Sequence, residues 1–128
     1  MATRTFENEW IFEPLAHRPG FRTKRMFGGL AAYLQDRMLM VLVEPTKSGR
    51  WQWHGVLVAT SHERHEAIRR QFPQLAPHDV LSKWLYLDSR ADDFEPVMQE
   101  IAEAMARGDP RFGILSKPVT RPRRQVQR

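Results

Sequence analysis

Five histidines are the residues in this sequence best suited to bind a metal ion. His62 and His65 lie three positions apart, so a helix would present both imidazoles on one face. A zincin needs two histidines four positions apart, and the residue at that position is Glu66. His54 and His78 could complete a site only by a tertiary approach that the sequence does not specify. We therefore predict a solvated helix face, with no bound metal and no cofactor.

Residues that could act as nucleophiles are few. The chain has no cysteine, which excludes thiolate catalysis, thiolate metal sites and disulfides and is compatible with a reducing compartment. No serine lies in a G-x-S-x-G or S-x-x-K context. The acids within residues 92–95 are explained as charges at a helix start, where the macrodipole favours them. We predict that the protein is not an enzyme, and a small enzyme with a metal site of His54, His62 and His65 is the open alternative.

Cationic side chains could bind the phosphates of a nucleic acid. The 128 residues include 20 Lys and Arg against 15 Asp and Glu, a net charge of +5. Five of these cations and no acid lie within residues 117–128, so residues 1–116 carry 15 charges of each sign. We predict one neutral domain over residues 1–116 and a basic, flexible tail over residues 117–128, because two prolines and few apolar groups cannot pack a core. The candidate nucleic-acid-binding residues are Arg22, Lys24, Arg25, Arg121, Arg123, Arg124 and Arg128.

Three tryptophans at strand-like spacing could form a surface that stacks bases or holds a small ligand. Trp51 and Trp53 would lie on one side of a strand, and Trp84 would open another strand. Aromatic residues at this spacing belong more often to a hydrophobic core than to a binding surface. Both interpretations stay open for these three residues.

The most distinctive string is Arg25-Met26-Phe27-Gly28-Gly29, in which paired glycines connect two predicted strands. Glycine permits a positive φ or a close backbone approach that other residues do not allow. A glycine pair preceded by cations can also form an anion-binding nest. Neither a P-loop nor a dinucleotide-binding glycine motif is present, so a structural hairpin is the favoured interpretation.

Together with Tyr33 and residues 38–43, this hairpin resembles the N-terminal domain of TfoX/Sxy-type competence regulators and the related small YgaC-like proteins. The resemblance continues more loosely through residues 83–87 and 92–95. It implies a two-layer α+β fold similar to the type III secretion chaperones, with a five-stranded antiparallel sheet, and an association with the regulation of DNA uptake. It supplies no catalytic residues, and the C-terminal helical domain of full TfoX proteins has no counterpart in this sequence.

Periodicity and turn residues predict the elements that must position these side chains. The order is α-β-β-β-β-α-β-α, which indicates an α+β, two-layer domain with an about five-stranded antiparallel sheet and helices on one face. Thr60 or Ser61 would cap the second helix, and Asp92 or Asp93 the last. With Asp93 as the cap, Pro96 falls at the third helical position, where no backbone hydrogen bond is lost. The predicted ranges are 6–15, 24–27, 30–34, 38–44, 51–60, 61–72, 84–88 and 94–107.

Residues 38–43 are apolar on both faces of their predicted strand, which a two-layer domain does not explain. Leaving half of them in water would cost several kcal/mol, at roughly 1.5–3 kcal/mol for each side chain. A homodimer would cover the second face. The first helix or segment 73–83 could cover it instead, and both explanations stay open.

The sequence as a whole favours a binding module over an enzyme. We predict a cytoplasmic, non-enzymatic binding or regulatory module of the TfoX N-terminal type that forms a homodimer and acts through protein–protein contacts with an unidentified partner. The alternative is non-specific nucleic-acid binding through the tail and the cations of residues 18–25. The N-terminus is charged where a signal peptide needs apolar residues, and no apolar run is long enough to span a bilayer, so we expect neither export nor membrane insertion.

Overall fold

The structure is a computed structural model that describes residues 6–26, 28–46 and 52–115. Its helices are α1 (Glu13–Ala16), α2 (His65–Gln71) and α3 (Phe94–Ala106), and 3₁₀ turns at Glu9–Phe12 and His62–Arg64 lead into α1 and α2. The strands are β1 (Phe21–Met26), β2 (Gly29–Leu34), β3 (Arg37–Val43), β4 (Gly55–Val58), β5 (Ala76–Pro77), β6 (Leu85–Asp88) and β7 (Ile114–Leu115).

These strands form one antiparallel sheet in the order β1-β2-β3-β4-β6-β5, and β7 pairs with β3 beyond the end of β4. The predicted α+β fold with an antiparallel sheet is confirmed, although the described residues contain seven strands rather than about five. The additional strands, β5 and β7, have two residues each. Elements this short carry no alternation that a sequence pattern could reveal.

The helices pack on one face of the sheet, as predicted. α3 supplies an apolar stripe that includes the fully buried Met98 and Ile101, and Ile11 and Leu15 approach the same core from the N-terminal side. The predicted first helix is divided into a 3₁₀ turn and the short α1, with Pro14 in the first turn of α1. Proline lacks an N–H and is therefore accepted only at a helix start.

Neither candidate cap of the second helix makes a side-chain capping bond, although Ser61 is the N-cap residue of the 3₁₀ turn that leads into α2. Thr60 Oγ1 donates a hydrogen bond to a backbone carbonyl across the fold, and Ser61 makes no capping bond, so α2 begins from its 3₁₀ turn. At α3 the N-cap residue is Asp93 and Pro96 is the third helical residue, as predicted. The carboxylate of Asp93 nevertheless accepts a hydrogen bond from Gln74 instead of from the helix backbone.

β3 is buried on both faces, as its unbroken apolar run indicates. Its register against β2 shifts between Ala32 and Tyr33, which pair with Met40 and Met38 and leave Leu39 as an extra residue. Such a bulge interrupts the alternation of side chains along a strand. The apolar side chains on the face away from the helices, here named the second-face cluster, are Ala31, Tyr33, Met38, Val41, Val43 and Leu57.

The second-face cluster is covered within a single chain, because none of its members is more than 7% exposed. Leu81, from the predicted covering segment 73–83, packs against it, and so does Trp84. The N-terminal helical residues lie in the opposite core. The burial that motivated a homodimer is therefore already present in one chain, and the dimer stays a prediction without that support.

Candidate functional site

β1 is the outermost strand of the sheet, and half of its backbone hydrogen-bonding groups face away from β2. In an antiparallel pair, alternate residues direct their N–H and C=O groups at the partner strand. The carbonyl of Gly20 accepts a hydrogen bond from the N–H of Gln35 at 3.1 Å, so the even-numbered residues of this strand face β2. The N–H and C=O groups of Thr23 and Arg25 consequently point outward.

The outward backbone groups of Thr23 and Arg25 make no hydrogen bond with any described part of the chain. Both residues are exposed, as are Arg22 and Lys24 beside them. An unpaired row of backbone donors and acceptors on an edge strand is a template for pairing with another strand. β1 therefore offers a ready backbone surface to an extended segment.

The three predicted phosphate-binding cations of β1 lie on two different faces of the sheet. Arg22 lies over the ring of Tyr33 at 4.7 Å and donates a hydrogen bond to the carbonyl of Gln35, which places it on the second face. Lys24 has the same parity in the strand. Arg25 faces the helices instead, with its guanidinium 5.5 Å from the ring of Phe6. The structure thus divides this cluster in two.

A groove of about 420 Å³ runs between β1 and the N-terminal helical residues. Its walls are largely apolar, and the carboxylates of Glu9 and Glu13 lie among the lining groups. The side chains of Thr23 and Arg25 line its strand side, directly below the outward backbone groups. The lining residues are Phe6, Glu9, Phe12, Glu13, Ala16, Phe21, Thr23, Arg25 and Leu30.

The glycines of the distinctive string shape the β1–β2 hairpin. Gly28 has a φ of +75°, a conformation that favours glycine, and Gly29 opens β2. A Cβ atom at Gly29 would collide with the carbonyl oxygen of Leu42 on β3. The glycine pair is therefore explained by backbone geometry, which agrees with the structural interpretation, while Phe27 lies outside the described residues.

Trp53 and Trp84, two of the three predicted aromatic-surface residues, are half-buried against the second-face cluster. The ring of Trp53 lies edge-on to that of His78, with centroids 4.3 Å apart. Tyr86 contacts the same imidazole at 5.3 Å. These aromatic residues therefore pack as a second core, and the position of Trp51 is not among those described.

His78, which the sequence offered only as a possible metal ligand through a tertiary approach, is almost fully buried and has a structural role of its own. Its Nδ1 accepts hydrogen bonds from the N–H groups of Val80 and Leu81, at 3.1 and 3.0 Å. Burial lowers the pKa of this imidazole, while the charge of Asp79 raises it by a smaller amount. An imidazole that accepts at Nδ1 is neutral and carries its proton on Nε2. The only feature of the sequence that points to this role is the position of His78 directly after Pro77.

A polar network supports the other side of this aromatic group. The hydroxyl of Tyr86 accepts a hydrogen bond from the backbone N–H of His54 at 3.1 Å and donates one to Asp88 at 3.2 Å. Burial, followed by the charge of Asp88, raises the pKa of Tyr86. The hydrogen bond from Arg90 lowers the pKa of Asp88. Tyr86 therefore stays a neutral phenol that fixes the start of β4.

The histidines do not form the site that their spacing allowed. The rings of His62 and His65 are 5.3 Å apart, and Nε2 of His65 lies 2.8 Å from the carbonyl oxygen of Lys83. A different group, Glu7, Glu44 and His54, has its potential ligand atoms within 4.8 Å of one another. Within it His54 Nε2 is 2.9 Å from Glu7 Oε1.

The members of that group differ in exposure, since Glu7 is 68% exposed whereas Glu44 and His54 are half-buried. The backbone N–H of Glu7 donates a hydrogen bond to Glu44 Oε2 at 2.7 Å, so one carboxylate oxygen already has a partner. An exposed glutamate beside a histidine and a second glutamate is explained by these contacts without an ion.

The tail cations Arg121, Arg123, Arg124 and Arg128 lie outside the described residues, so their prediction is neither supported nor corrected. No helix in the described ranges has the length and hydropathy of a membrane span. Comparison with protein-family models, with curated proteins and with solved structures returns no match to this chain. The resemblance to the TfoX N-terminal domain accordingly stays a prediction.

Proposed function

We propose that this protein is a non-enzymatic binding module that recognises an extended segment of another protein by adding it to the sheet as a new strand beside β1. The observation that carries this proposal is the combination of free outward backbone groups at Thr23 and Arg25 with an apolar groove directly below them. Strand addition is a recurrent mode of peptide recognition, in which backbone bonds give affinity and side-chain pockets give specificity.

The backbone of β1 offers four hydrogen-bonding groups to an incoming segment, namely the N–H and C=O of Thr23 and of Arg25. Each bond contributes about 0.5–1.5 kcal/mol net, because bonds to water are lost when it forms. Four such bonds hold a segment weakly and without sequence preference. Selectivity must come from the side chains on the two faces.

The groove provides one of these side-chain contacts. Directly opposed residues of paired strands project from the same face of a sheet. A residue opposite Thr23 would therefore project into the groove, toward the apolar side chains of Phe12, Phe21 and Leu30. Burial of a large apolar side chain there adds roughly 1.5–3 kcal/mol, which exceeds the contribution of any single backbone bond.

The charges of β1 favour some of the segments that could pair with this edge over others. A second copy pairing edge to edge would bring two cationic strands together, and like charges on opposed strands are destabilising. The chain's own basic tail carries the same sign of charge. A segment of a different protein is the occupant that these charges favour, and the predicted homodimer forms no part of this proposal.

Nucleic-acid binding receives less support from the same residues. A phosphate backbone is gripped by cations that share one surface. Arg22 and Arg25 lie on opposite faces of the sheet, and the stacking candidates Trp53 and Trp84 are packed against the second-face cluster. The tail remains as a separate, non-specific source of affinity, which can be tested by itself.

A proline scan of β1 tests strand addition directly. We expect Thr23→Pro to remove the outward N–H and to place a ring where the new strand must lie, while the β1–β2 bonds stay intact. Thr23→Val keeps both the N–H and the β-branched shape and is the matched control. Random twelve-residue peptides displayed on phage would be selected on the full chain, and the enriched peptides measured on all three proteins.

The expected result is that the enriched peptides bind the unaltered protein and Thr23→Val alike and bind Thr23→Pro at least tenfold more weakly, a factor equal to about 1.4 kcal/mol. Circular dichroism must show that Thr23→Pro is folded. Failure to enrich any peptide, or peptides indifferent to Thr23→Pro, would overturn the proposal. Binding of labelled DNA that disappears when Arg121, Arg123, Arg124 and Arg128 are changed to Gln would support the nucleic-acid alternative instead.

A further inference from the structure

We infer that the segment captured by β1 alternates acidic and apolar residues, with its acids on the second face and its apolar side chains in the groove. This inference rests on the proposed function and specifies its partner. It follows from the different chemistry of the two faces of one edge strand, at Arg22 and Lys24 on one side and Thr23 on the other.

The second-face side of the edge is cationic. Arg22 and Lys24 are both exposed, and β1 contains no acidic residue that could neutralise them. Arg22 already donates one guanidinium hydrogen bond, to the carbonyl of Gln35 at 3.0 Å, and contacts the ring of Tyr33. These contacts hold the guanidinium beside the sheet edge. A residue of an added strand opposite either cation lies on the same face, where a carboxylate finds two positive partners.

The groove side excludes acids. Glu9 and Glu13 line the groove, and the only cation among its lining residues is Arg25. Arg25 lies at the β2-hairpin end of the strand, with its guanidinium against the ring of Phe6. A carboxylate placed opposite Thr23 would meet two like charges and apolar walls, whereas an apolar side chain there loses contact with water.

Neighbouring residues of a strand project from opposite faces, so these two requirements apply to successive residues of the partner. The chemistry that fits is an extended run in which every second residue is Asp or Glu and the residues between are large and apolar. Such a segment repels copies of itself through its acids, and it pairs with β1 through backbone, charge and apolar contacts together.

Three labelled, capped peptides test this pattern by fluorescence anisotropy on the full chain. The probe is Glu-Val-Glu-Phe-Glu-Val-Glu, which reads the same in both strand directions. The first control replaces each Glu by Lys, and the second replaces each Glu by Thr. We expect the acidic peptide to bind at least tenfold more tightly than the Lys peptide and several-fold more tightly than the Thr peptide, with an advantage that falls as salt shortens the Debye length.

Two double variants of the protein test which cations cause the preference for the acidic peptide. Arg22→Gln with Lys24→Gln is expected to weaken the acidic peptide roughly fivefold, in line with two exposed ion pairs, and to leave the Thr peptide unchanged. Arg70→Gln with Lys83→Gln removes the same charge elsewhere on the surface and should change neither. Equal binding of the acidic and Thr peptides, both weakened by Thr23→Pro, would overturn the acidic pattern and leave strand addition intact. Peptide binding unaffected by Thr23→Pro would overturn both.

Discussion

The two edges of the sheet end in different ways. At one edge β1 has six residues, of which the four consecutive residues 22–25 are exposed, and no described strand pairs with its outer side. At the other edge β5 has two residues, one of which is Pro77, which has no N–H to offer a further strand. The imidazole of His78 then accepts the N–H groups of Val80 and Leu81 and turns the chain onto the second face.

This contrast between the two edges shows which of them is available for recognition. Pro77 removes one outward N–H from the β5 edge, and His78 occupies two backbone N–H groups just beyond it, so this edge, here called the closed edge, offers few donors to a further strand. The cations of β1 repel another copy of the same strand, but the outward backbone groups of Thr23 and Arg25 have no partner in the part of the chain that the structure describes. An edge that is protected only by its charges can admit a partner of opposite charge and repel one of like charge. An edge whose donors are removed by proline or occupied by histidine offers little to a partner of either charge.

The largest expected effect is a difference in stability between proline substitutions on the two sides of β1. Lys24→Pro removes an N–H that faces β2, and we expect it to lower the free energy of unfolding by about 3 kcal/mol or more. Thr23→Pro removes an outward N–H and should lower it by less than about 1 kcal/mol. Urea denaturation followed by circular dichroism measures both. Equal losses would show that β1 is not an edge with the register described.

Breaking the closed edge is expected to have the next largest effect. His78→Ala leaves two backbone N–H groups without their acceptor and removes the ring that packs against Trp53, at a cost of about 2–3 kcal/mol. His78→Asn is the control, because its side-chain oxygen can occupy the place of Nδ1. We expect Asn to recover part of the loss in urea denaturation, and identical losses would show that the acceptor is unimportant.

The closed edge should also be sensitive to pH. Burial lowers the pKa of His78 in the folded protein, so the unfolded chain binds its proton first as the pH falls. The free energy of unfolding should therefore decrease from about pH 6.5, the ordinary histidine value, down to the folded pKa, by at most about 1.4 kcal/mol per pH unit. His78→Asn should flatten this part of the profile, and an unchanged slope would assign the dependence to other groups.

The smallest expected effect concerns the charges that protect β1. Changing Arg22, Lys24 and Arg25 together to Thr leaves a neutral edge with free backbone groups, and we expect concentration-dependent self-association of the full chain in sedimentation. Changing Arg70, Lys83 and Arg107 to Thr removes the same charge from other surfaces and should leave the association state unaltered. Self-association in both variants would attribute it to net charge alone.

Several features of this fold could be predicted from local sequence patterns. The apolar stripe of α3 recurs at helical spacing and ends at Gly108, and the observed helix agrees with it. The glycine pair identified the β1–β2 hairpin because a positive φ and a close approach to β3 both need glycine. Neither Thr60 nor Ser61 makes a side-chain capping bond, and for Thr60 the reason is that a hydroxyl with capping spacing can bond elsewhere, here to a distant carbonyl.

The candidate site was less predictable. Arg22, Lys24 and Arg25 were identified as an exposed cationic group, but the sequence treated them as one cluster, and their division between two faces depends on the register with β2. His78 was considered as a metal ligand, whereas its imidazole packs between Tyr86 of β6 and Trp53, and Trp53 is distant in the chain. The groove lies between β1 and N-terminal helical residues, and no sequence pattern links these two segments.

Local patterns in the chain were enough to predict the types and order of the main elements, the hairpin at the glycine pair and the formal neutrality of residues 1–116, because periodicity, backbone preference and charge are local properties. Three features arise only in the folded chain: β1 is an edge, Thr23 and Arg25 direct their backbone groups outward, and an apolar groove lies below them. Edges and grooves arise from pairing between residues far apart in the chain, and such pairing leaves no signature in the strand that it exposes.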